Sequence, residues 1–142
     1  ETLYAIHDKE MAEYILSLGA GMCKRGDIYF VDFGKHKDTK KQQGIRPVVV
    51  VSNNKANTHS PVITVVPLTS KIHKKRFLPT HVYIPVSSGS GLNSPSVALA
   101  EQVDSIDKTR LLEKRGHIKS KTIMDKITMA IQVQVGVFEE FN

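Results

Sequence analysis

The sequence contains no tryptophan, only one cysteine and no long apolar segment. A lone thiol, Cys23, cannot form an internal disulfide or a cysteine-rich zinc site, so we expect an inert thiol in a reducing compartment. No stretch approaches the ~18 consecutive apolar residues that a membrane-spanning helix requires. These absences predict a soluble, cytoplasmic chain.

Several sequence signatures of catalysis are also missing. The patterns GxxxxGK[ST], GxGxxG, HExxH and GxSxG do not occur, which argues against nucleotide hydrolysis and zinc-protease chemistry. The six histidines are never four residues apart, so a helical pair of metal ligands is not expected. We therefore predict no metal and no cofactor. His36 and His73 lie within basic segments and are candidates for phosphate contact, but surface histidine is the preferred interpretation.

Positive charge is distributed unevenly along the chain. The net charge of the 142 residues is +6, although residues 1–22 hold four acids and one lysine, so the other 120 residues carry +9. One lysine run is typical of a solvated face, whereas three basic clusters on a small domain favour a polyanionic partner. The clusters are Lys35, Lys37, Lys40 and Lys41; Lys71, Lys74, Lys75 and Arg76; and Lys108, Arg110, Lys114, Arg115, Lys119 and Lys121.

The chain length predicts one compact domain. A short helix is predicted before it. In residues 1–22 an apolar stripe with the spacing of one helical face is formed by Met11, Tyr14, Ile15 and Leu18. Glycines follow this stripe and end the helical pattern. We therefore divide the chain into an N-terminal helical extension, residues 1–22, and a main domain, residues 23–142.

The main domain has the pattern of a small, mainly β fold. Short segments rich in β-branched and aromatic residues alternate with turn residues, which favours a barrel. The predicted strands start near residue 27 and then span 47–51, 62–68, 81–86 and 96–100. A polar loop over 34–45 joins the first two, and a turn is predicted over 53–61. Thr122 and Asp125 predict a capping box for a C-terminal helix.

One arginine stands where the polar loop meets a buried strand. Arg46 lies in QQGIRPVVVV, and such junctions place a charged group beside a rigid scaffold. Thr69 and Ser70 end the third predicted strand in a similar way. Taken alone, a salt bridge at a barrel rim explains Arg46 better than catalysis does, and strand termination explains the two hydroxyl residues.

Six sequence blocks occur in one order along the chain: RGDIYFVDF, QGIRPVVVVSNN, SPVITVVPLTS, LPTHVYI, GLNSPSVALAEQVDSIDKTRL and a closing helix. In this order they resemble the MazF/PemK toxin family, from Lys24 to about Val137. The resemblance implies an SH3-like β-barrel of the CcdB/MazF type with a C-terminal helix. It also implies a homodimeric type II toxin that cleaves single-stranded RNA, blocked by an acidic MazE-like antitoxin.

The resemblance implies a metal-free reaction in which the substrate's own 2′-hydroxyl attacks phosphorus, leaving a 2′,3′-cyclic phosphate and a 5′-hydroxyl. The family's catalytic residues fall on Arg46 and Thr69. A permanently charged guanidinium suits stabilisation of a pentacoordinate phosphate and not base catalysis. Thr69 suits a positioning role through its neutral hydroxyl. The general base stays unassigned.

RNA-binding residues are implied around this pair, namely Lys41, Gln42, Gly44, Ser70, Lys71 and Gln102. Two positions depart from the family pattern. A loop glutamate of the family is replaced by Lys41, and an arginine after Glu-Gln-Ile is replaced by Asp104. Because both replacements change the sign of a charge, we expect the cleavage motif to differ.

Two alternatives from other classes stay open. A non-catalytic toxin on the same barrel, similar to CcdB, would bind a protein target such as DNA gyrase. A plain nucleic-acid-binding barrel would bind phosphates with its lysine clusters and stack bases on aromatic side chains. Aromatic residues make up only 6% of the chain, which counts against the second alternative.

Overall fold

The computed structural model describes residues 23–72 and 78–138. The predicted helical extension, residues 1–22, lies outside the described residues. The same holds for residues 73–77, which carry most of the second basic cluster, and for residues 139–142.

Seven strands and two α-helices form the described part of the chain. The strands are β1 (Asp27–Asp32), β2 (Ile45–Val50), β3 (Val62–Thr69), β4 (His81–Ile84), β5 (Ser96–Leu99), β6 (Asp104–Asp107) and β7 (Leu111–His117). The helices are α1 (Asn54–His59) and α2 (Lys121–Gln134). The first five strands and the C-terminal helix confirm the sequence-based predictions.

Three elements were not predicted, each for a local reason. β6 and β7 have mostly exposed or half-buried side chains, so they lack the apolar alternation by which a strand is recognised. The predicted turn over 53–61 was wrong in part, because it contains α1. The side chain of Asn53 accepts a hydrogen bond from the Ala56 backbone N–H at 2.9 Å, which caps this helix.

β3 takes part in two layers because its two halves pair with different strands. Val62 to Val65 pair with β6, whereas Leu68 and Thr69 pair with β5. The strand order β6-β3-β2-β1-β7 therefore forms a curved five-stranded sheet. A single turn of 3₁₀ helix, Lys108–Arg110, joins its two outer strands. No ladder of hydrogen bonds closes β6 onto β7 in the described ranges, so the barrel is SH3-like but open.

Two apolar clusters hold the layers together. The barrel interior contains Cys23, Tyr29, Val31, Val48, Val50, Ile63, Val65, Ile106 and Leu111. Burial raises the pKa of the Cys23 thiol, which fits an unreactive core cysteine. The second cluster lies between the sheet and α2, where Leu68, Ile84 and Ile127 are fully buried. This cluster holds β4 and β5 against the end of β3.

The N-terminus of α2 is capped by Ser120, whose hydroxyl accepts the Ile123 N–H at 3.2 Å. The predicted capping box at Thr122 and Asp125 was wrong, because both are exposed residues inside the helix. The apolar spacing of the helix identified it correctly. Its first residue depends on which hydroxyl faces the unpaired backbone N–H groups.

Replacing Ser120 with alanine is expected to lower the free energy of unfolding by about 1 kcal/mol, because the half-buried Ile123 N–H at the helix start loses its acceptor. Urea unfolding followed by circular dichroism measures this difference. Thr122→Ala is the matched control, since its hydroxyl does not cap the helix, and its effect should stay within about 0.5 kcal/mol. Equal losses in the two variants would contradict the assignment of the cap.

A group of polar side chains around Asp27 joins β1 to β7 next to the barrel core. Asp27 is 2% exposed, and its carboxylate contacts His117 Nδ1 at 2.7 Å and Lys114 Nζ at 3.4 Å. It also accepts the Lys24 backbone N–H at 2.8 Å. A buried carboxylate needs such partners, and here they fix the position of β7.

Candidate active site

Arg46 and Thr69 lie at the same edge of the sheet because β2 and β3 are antiparallel neighbours. Val48 pairs with Pro67. Continued by two residues beyond this last pair of the ladder, the same register would bring Arg46 opposite Thr69, and both residues line one cavity. Arg46 is the second residue of its strand, just after the polar loop, and Thr69 is the last residue of the next strand. Their proximity therefore follows from the pairing of β2 with β3.

Both residues line a cavity of about 280 Å³, close to the lower end, roughly 300 Å³, of small-ligand sites. The described residues around it include two arginines and no carboxylate, so its electrostatic potential favours an anion. The lining residues are Phe30, Arg46, Pro47, Leu68, Thr69, Ser70, Leu92, Asn93, Ser94, Ser96 and Arg115.

The Arg46 side chain is fixed by a hydrogen bond from Nε, which does not involve its two terminal nitrogens. Its Nε donates to the Gln43 carbonyl oxygen at 2.9 Å. Its two terminal nitrogens make no hydrogen bond or ion pair with the part of the chain that the structure describes. A half-buried guanidinium oriented in this way presents paired donors to a phosphate or carboxylate.

Thr69 Oγ1 accepts the Lys71 backbone N–H at 3.2 Å. This local turn bond orients the Thr69 side chain and leaves its hydroxyl hydrogen available to donate. Thr69 is half-buried and Ser70 is exposed. Neither hydroxyl carries a charge, so the two can bind or orient a substrate oxygen.

A second cavity of about 550 Å³ adjoins the first, and Arg46 contributes to both. Its other lining residues are Lys35, His36, Lys37, Gln43 and Gly44. The loop that carries them is closed at its base, where Phe33 N donates to Gly44 O at 2.9 Å and Gly44 N to Gly34 O at 2.8 Å. Gly44 has a φ of +73°, which glycine adopts without strain.

Four other residues singled out in the sequence lie outside these cavities. Gln42 is half-buried in the loop, and Lys41 is exposed beside it, with its backbone N–H bonded to Thr39 Oγ1 at 3.1 Å. Lys71 is exposed just beyond Thr69. Gln102 Nε2 lies 3.5 Å from the Lys40 carbonyl oxygen, so it contacts the loop.

Glu101, next to Gln102, is bound to the small β4-β5 sheet. Its Oε2 lies 2.8 Å from His81 Nε2. Burial acts to raise the pKa of the Glu101 carboxyl, but hydrogen bonds from His81 and from the backbone hold that pKa below its usual range. The carboxylate therefore stays ionised and fixes the 3₁₀ turn Ala100–Gln102 beside the loop.

Arg115 and the segment 92–94 were not predicted as site residues. In the sequence Arg115 is only one member of a basic cluster, and the structure separates that cluster. Lys108 is buried, and Lys114 contacts Asp27. Lys121 forms an ion pair with Asp125 on α2. Which arginine of the cluster faces the cavity depends on strand register, for which the sequence carries no local signal.

The described ranges contain neither a candidate metal site nor a candidate membrane-spanning helix. No group of three or more His, Cys, Asp or Glu side chains is placed to hold a metal ion in residues 23–72 and 78–138. No helix in those same ranges is long and apolar enough to cross a membrane.

Comparison with known proteins gives consistent matches. Residues 24–135 match the model of the family described as PemK-like, MazF-like toxin of type II toxin-antitoxin system. Endoribonuclease MazF of Staphylococcus saprophyticus is 38% identical over 116 residues, which cover 82% of this chain and 93% of that protein. Endoribonuclease EndoA of Bacillus subtilis is 39% identical over 116 residues, covering 82% and 97%.

Solved structures agree with these sequence matches. An endoribonuclease in complex with its cognate antitoxin, from a mycobacterial species, superposes with a TM-score of 0.65 at 26% identity, covering 81% of this chain and 96% of that one. MazF from Deinococcus radiodurans has the same fold, with a TM-score of 0.65 at 21% identity, covering 81% and 97%. The chain therefore belongs to the family of PemK-like, MazF-like toxins of type II toxin-antitoxin systems.

Proposed function

We propose that this protein is an endoribonuclease toxin that cleaves single-stranded RNA in the cytoplasm. The observation that carries the proposal is the cavity in which Arg46 and Thr69 meet without a carboxylate among the described lining residues. Such a cavity attracts a phosphodiester and would repel it if acids lined it. The names of the relatives from Staphylococcus saprophyticus and Bacillus subtilis support the same activity.

The proposed reaction uses a nucleophile that the RNA itself supplies. The ribose 2′-hydroxyl attacks the adjacent phosphorus, the bond to the 5′-oxygen breaks, and a 2′,3′-cyclic phosphate and a 5′-hydroxyl remain. The proton of the 2′-hydroxyl leaves to a base that we do not assign, and one proton is delivered to the departing 5′-oxygen. No metal is required in this scheme, because the ribose hydroxyl takes the place of a metal-activated water and Arg46 supplies the positive charge.

Arg46 is proposed to stabilise the extra negative charge of the pentacoordinate phosphate with its two terminal nitrogens, which bond to no residue that the structure describes. Thr69 is proposed to bind a non-bridging oxygen or the attacking hydroxyl. Because Arg46 lines both cavities, the RNA strand is proposed to cross from one to the other over this residue. Lys35 and Lys37 then bind phosphates on the loop side.

Six residues around this path are proposed to contact RNA. Two of them line the cavities and four lie beside them. Gly44 lines the second cavity and Ser70 lines the first. Lys41 and Lys71 are exposed cations beside them, and Gln42 and Gln102 present amides near the loop. The amides suit base recognition, whereas the lysines suit backbone phosphates.

Replacing Thr69 with valine is expected to slow RNA cleavage by roughly 100-fold, because the isosteric side chain cannot bond to the reacting phosphate. Single-turnover cleavage of a mapped RNA site measures the rate. Thr69→Ser keeps the hydroxyl and should stay within a few-fold of the wild type. Equal rates for the valine and serine variants, with equal thermal unfolding midpoints, would rule out a role for the hydroxyl.

The decisive experiment for the function is cleavage of a long RNA in the presence of EDTA, followed by mapping of the ends. Discrete cuts with cyclic phosphate ends are expected. RNA that is bound but left intact would favour the nucleic-acid-binding alternative. RNA that is neither bound nor cut, together with poisoned DNA gyrase, would favour the CcdB-like alternative.

The proposed partners follow from charge and from a structural neighbour. That neighbour was solved in complex with its cognate antitoxin, and a net charge of +6 suits an acidic antitoxin. We propose an acidic, MazE-like antitoxin for this chain, and a homodimeric toxin. An RNA cleavage assay with increasing antitoxin, and the mass of the free toxin in solution, test these two points.

A further inference from the structure

Arg115 occupies a β-bulge in the strand beside the cavity. On β1, Ile28 pairs with Gly116 and the next residue, Tyr29, pairs with Lys114. Arg115 is therefore an extra residue of β7 with no pairing partner on β1. Bulges of this kind change the direction of a side chain and are common next to functional sites. Here the bulged residue lines the same cavity as Arg46 and Thr69.

The two residues that flank the Arg115–Gly116 pair hold the bulge in place. Lys114 and His117 both contact the buried carboxylate of Asp27. Gly116 lets another backbone segment approach, since a Cβ at this position would lie 2.0 Å from the Ser90 carbonyl oxygen. That oxygen accepts the His117 N–H at 3.0 Å. The segment that begins at Ser90 then forms the cavity wall with Leu92, Asn93 and Ser94.

The Arg115 side chain makes no ion pair or hydrogen bond with any residue in the ranges 23–72 and 78–138. It is half-buried, and the described cavity lining contains no carboxylate. A partly desolvated guanidinium without a counter-charge is costly unless an anion binds it. Its planar fork matches the oxygens of a phosphate.

We propose that Arg115 forms a second phosphate-binding subsite, which holds an RNA phosphate next to the one that is cleaved. The proposal rests on the proposed ribonuclease function. Arg46 lines both cavities, whereas Arg115 lines only the first, on the side of β7 and segment 92–94. An RNA strand bound across Arg46 would therefore place the next phosphate of its backbone beside Arg115. Arg115 acts on substrate binding, and Arg46 acts on the reacting phosphate.

The test uses RNA oligonucleotides that carry the mapped cleavage sequence, with a 2′-O-methyl group at the cut site to prevent cleavage. Arg115→Ala is expected to raise the Kd about tenfold or more, since a charge-assisted bond to phosphate is lost. The slope of log Kd against log salt should become shallower by about 0.7, the contribution of one phosphate contact on a single strand. Cleavage of the unmodified RNA should show a raised KM with kcat little changed.

A neutral methylphosphonate, placed in turn at each phosphate beside the cut site, identifies the contact. At one of these positions it should weaken binding by the wild type and leave binding by Arg115→Ala unchanged. Lys55→Ala is the matched control, because it removes one exposed positive charge from α1, at the opposite end of β2 from Arg46. Its Kd should stay within about twofold of the wild type.

The outcomes separate the two proposals. Wild-type cleavage of RNA together with wild-type affinity in Arg115→Ala would overturn the Arg115 subsite alone. Equal losses of affinity in Arg115→Ala and Lys55→Ala would also overturn it, because a general charge effect would then explain both. A wild-type protein that neither binds nor cuts RNA would overturn the proposed function and this subsite with it.

Discussion

Arg46→Ala is expected to reduce RNA cleavage by about 100-fold to 1000-fold or more, the usual consequence of removing a preorganised donor to a developing negative charge. The loss should appear in kcat, because Arg46 is proposed to bind the reacting phosphate more tightly as its charge increases. Single-turnover cleavage in EDTA at saturating enzyme measures this step directly. Affinity for an uncleavable RNA should change less than the rate does.

The fold should survive this substitution. The Arg46 side chain makes one described hydrogen bond, to the Gln43 carbonyl oxygen, so the thermal unfolding midpoint should shift by only a few degrees. Arg46→Lys keeps the charge without the fork and should retain part of the rate. Full activity in the alanine variant would contradict the catalytic role of Arg46. Either the cavity would cleave RNA without this residue, or cleavage would take place elsewhere on the protein.

Gly116→Ala is expected to lower both stability and cleavage, although residue 116 does not itself line the cavity. The added Cβ would lie 2.0 Å from the Ser90 carbonyl oxygen, so the backbone of segment 90–94 must move. Overpacking of this kind costs about 1–3 kcal/mol. A shift of about 1 Å in a site wall can slow a reaction by roughly 100-fold. Urea unfolding and single-turnover cleavage measure the two effects.

Gly89→Ala separates contact from backbone strain. Gly89 has a φ of +73°, yet a Cβ there meets nothing within 4 Å. This variant should lose about 1 kcal/mol of stability through its left-handed conformation and still cleave RNA at nearly the wild-type rate. If Gly116→Ala matched it in both measurements, the close approach of segment 90–94 to β7 would have no bearing on the site.

Much of the barrel could be predicted from local sequence. Strands that are buried on at least one face are predicted by the four valines after Pro47 and by the alternating segments around residues 62–68 and 81–86. The C-terminal helix follows from its apolar spacing. β6 and β7 were not predicted because their side chains are mostly exposed or half-buried, so they lack the apolar alternation that marks a strand.

The candidate site, too, could be predicted only in part from the sequence. Arg46 and Thr69 stand out in the sequence because each lies at a strand end, within blocks that resemble one family. Their proximity needs only the pairing of two consecutive strands, which is a local event. The sequence also showed two departures from the family, Lys41 and Asp104, and the structure places the first on the exposed loop and the second in β6.

By itself, then, the amino-acid sequence determined the mainly β domain and its closing helix, and it predicted Arg46 and Thr69 as the candidate catalytic pair. Only the tertiary structure decided that Arg115 lines the same cavity, while its neighbour Lys114 contacts Asp27 instead. The physical reason is that a bulge and a glycine contact depend on strands far apart in the chain. Local propensities do not specify which residue of β7 is left unpaired, because that choice depends on β1 and on segment 90–94 packing against it.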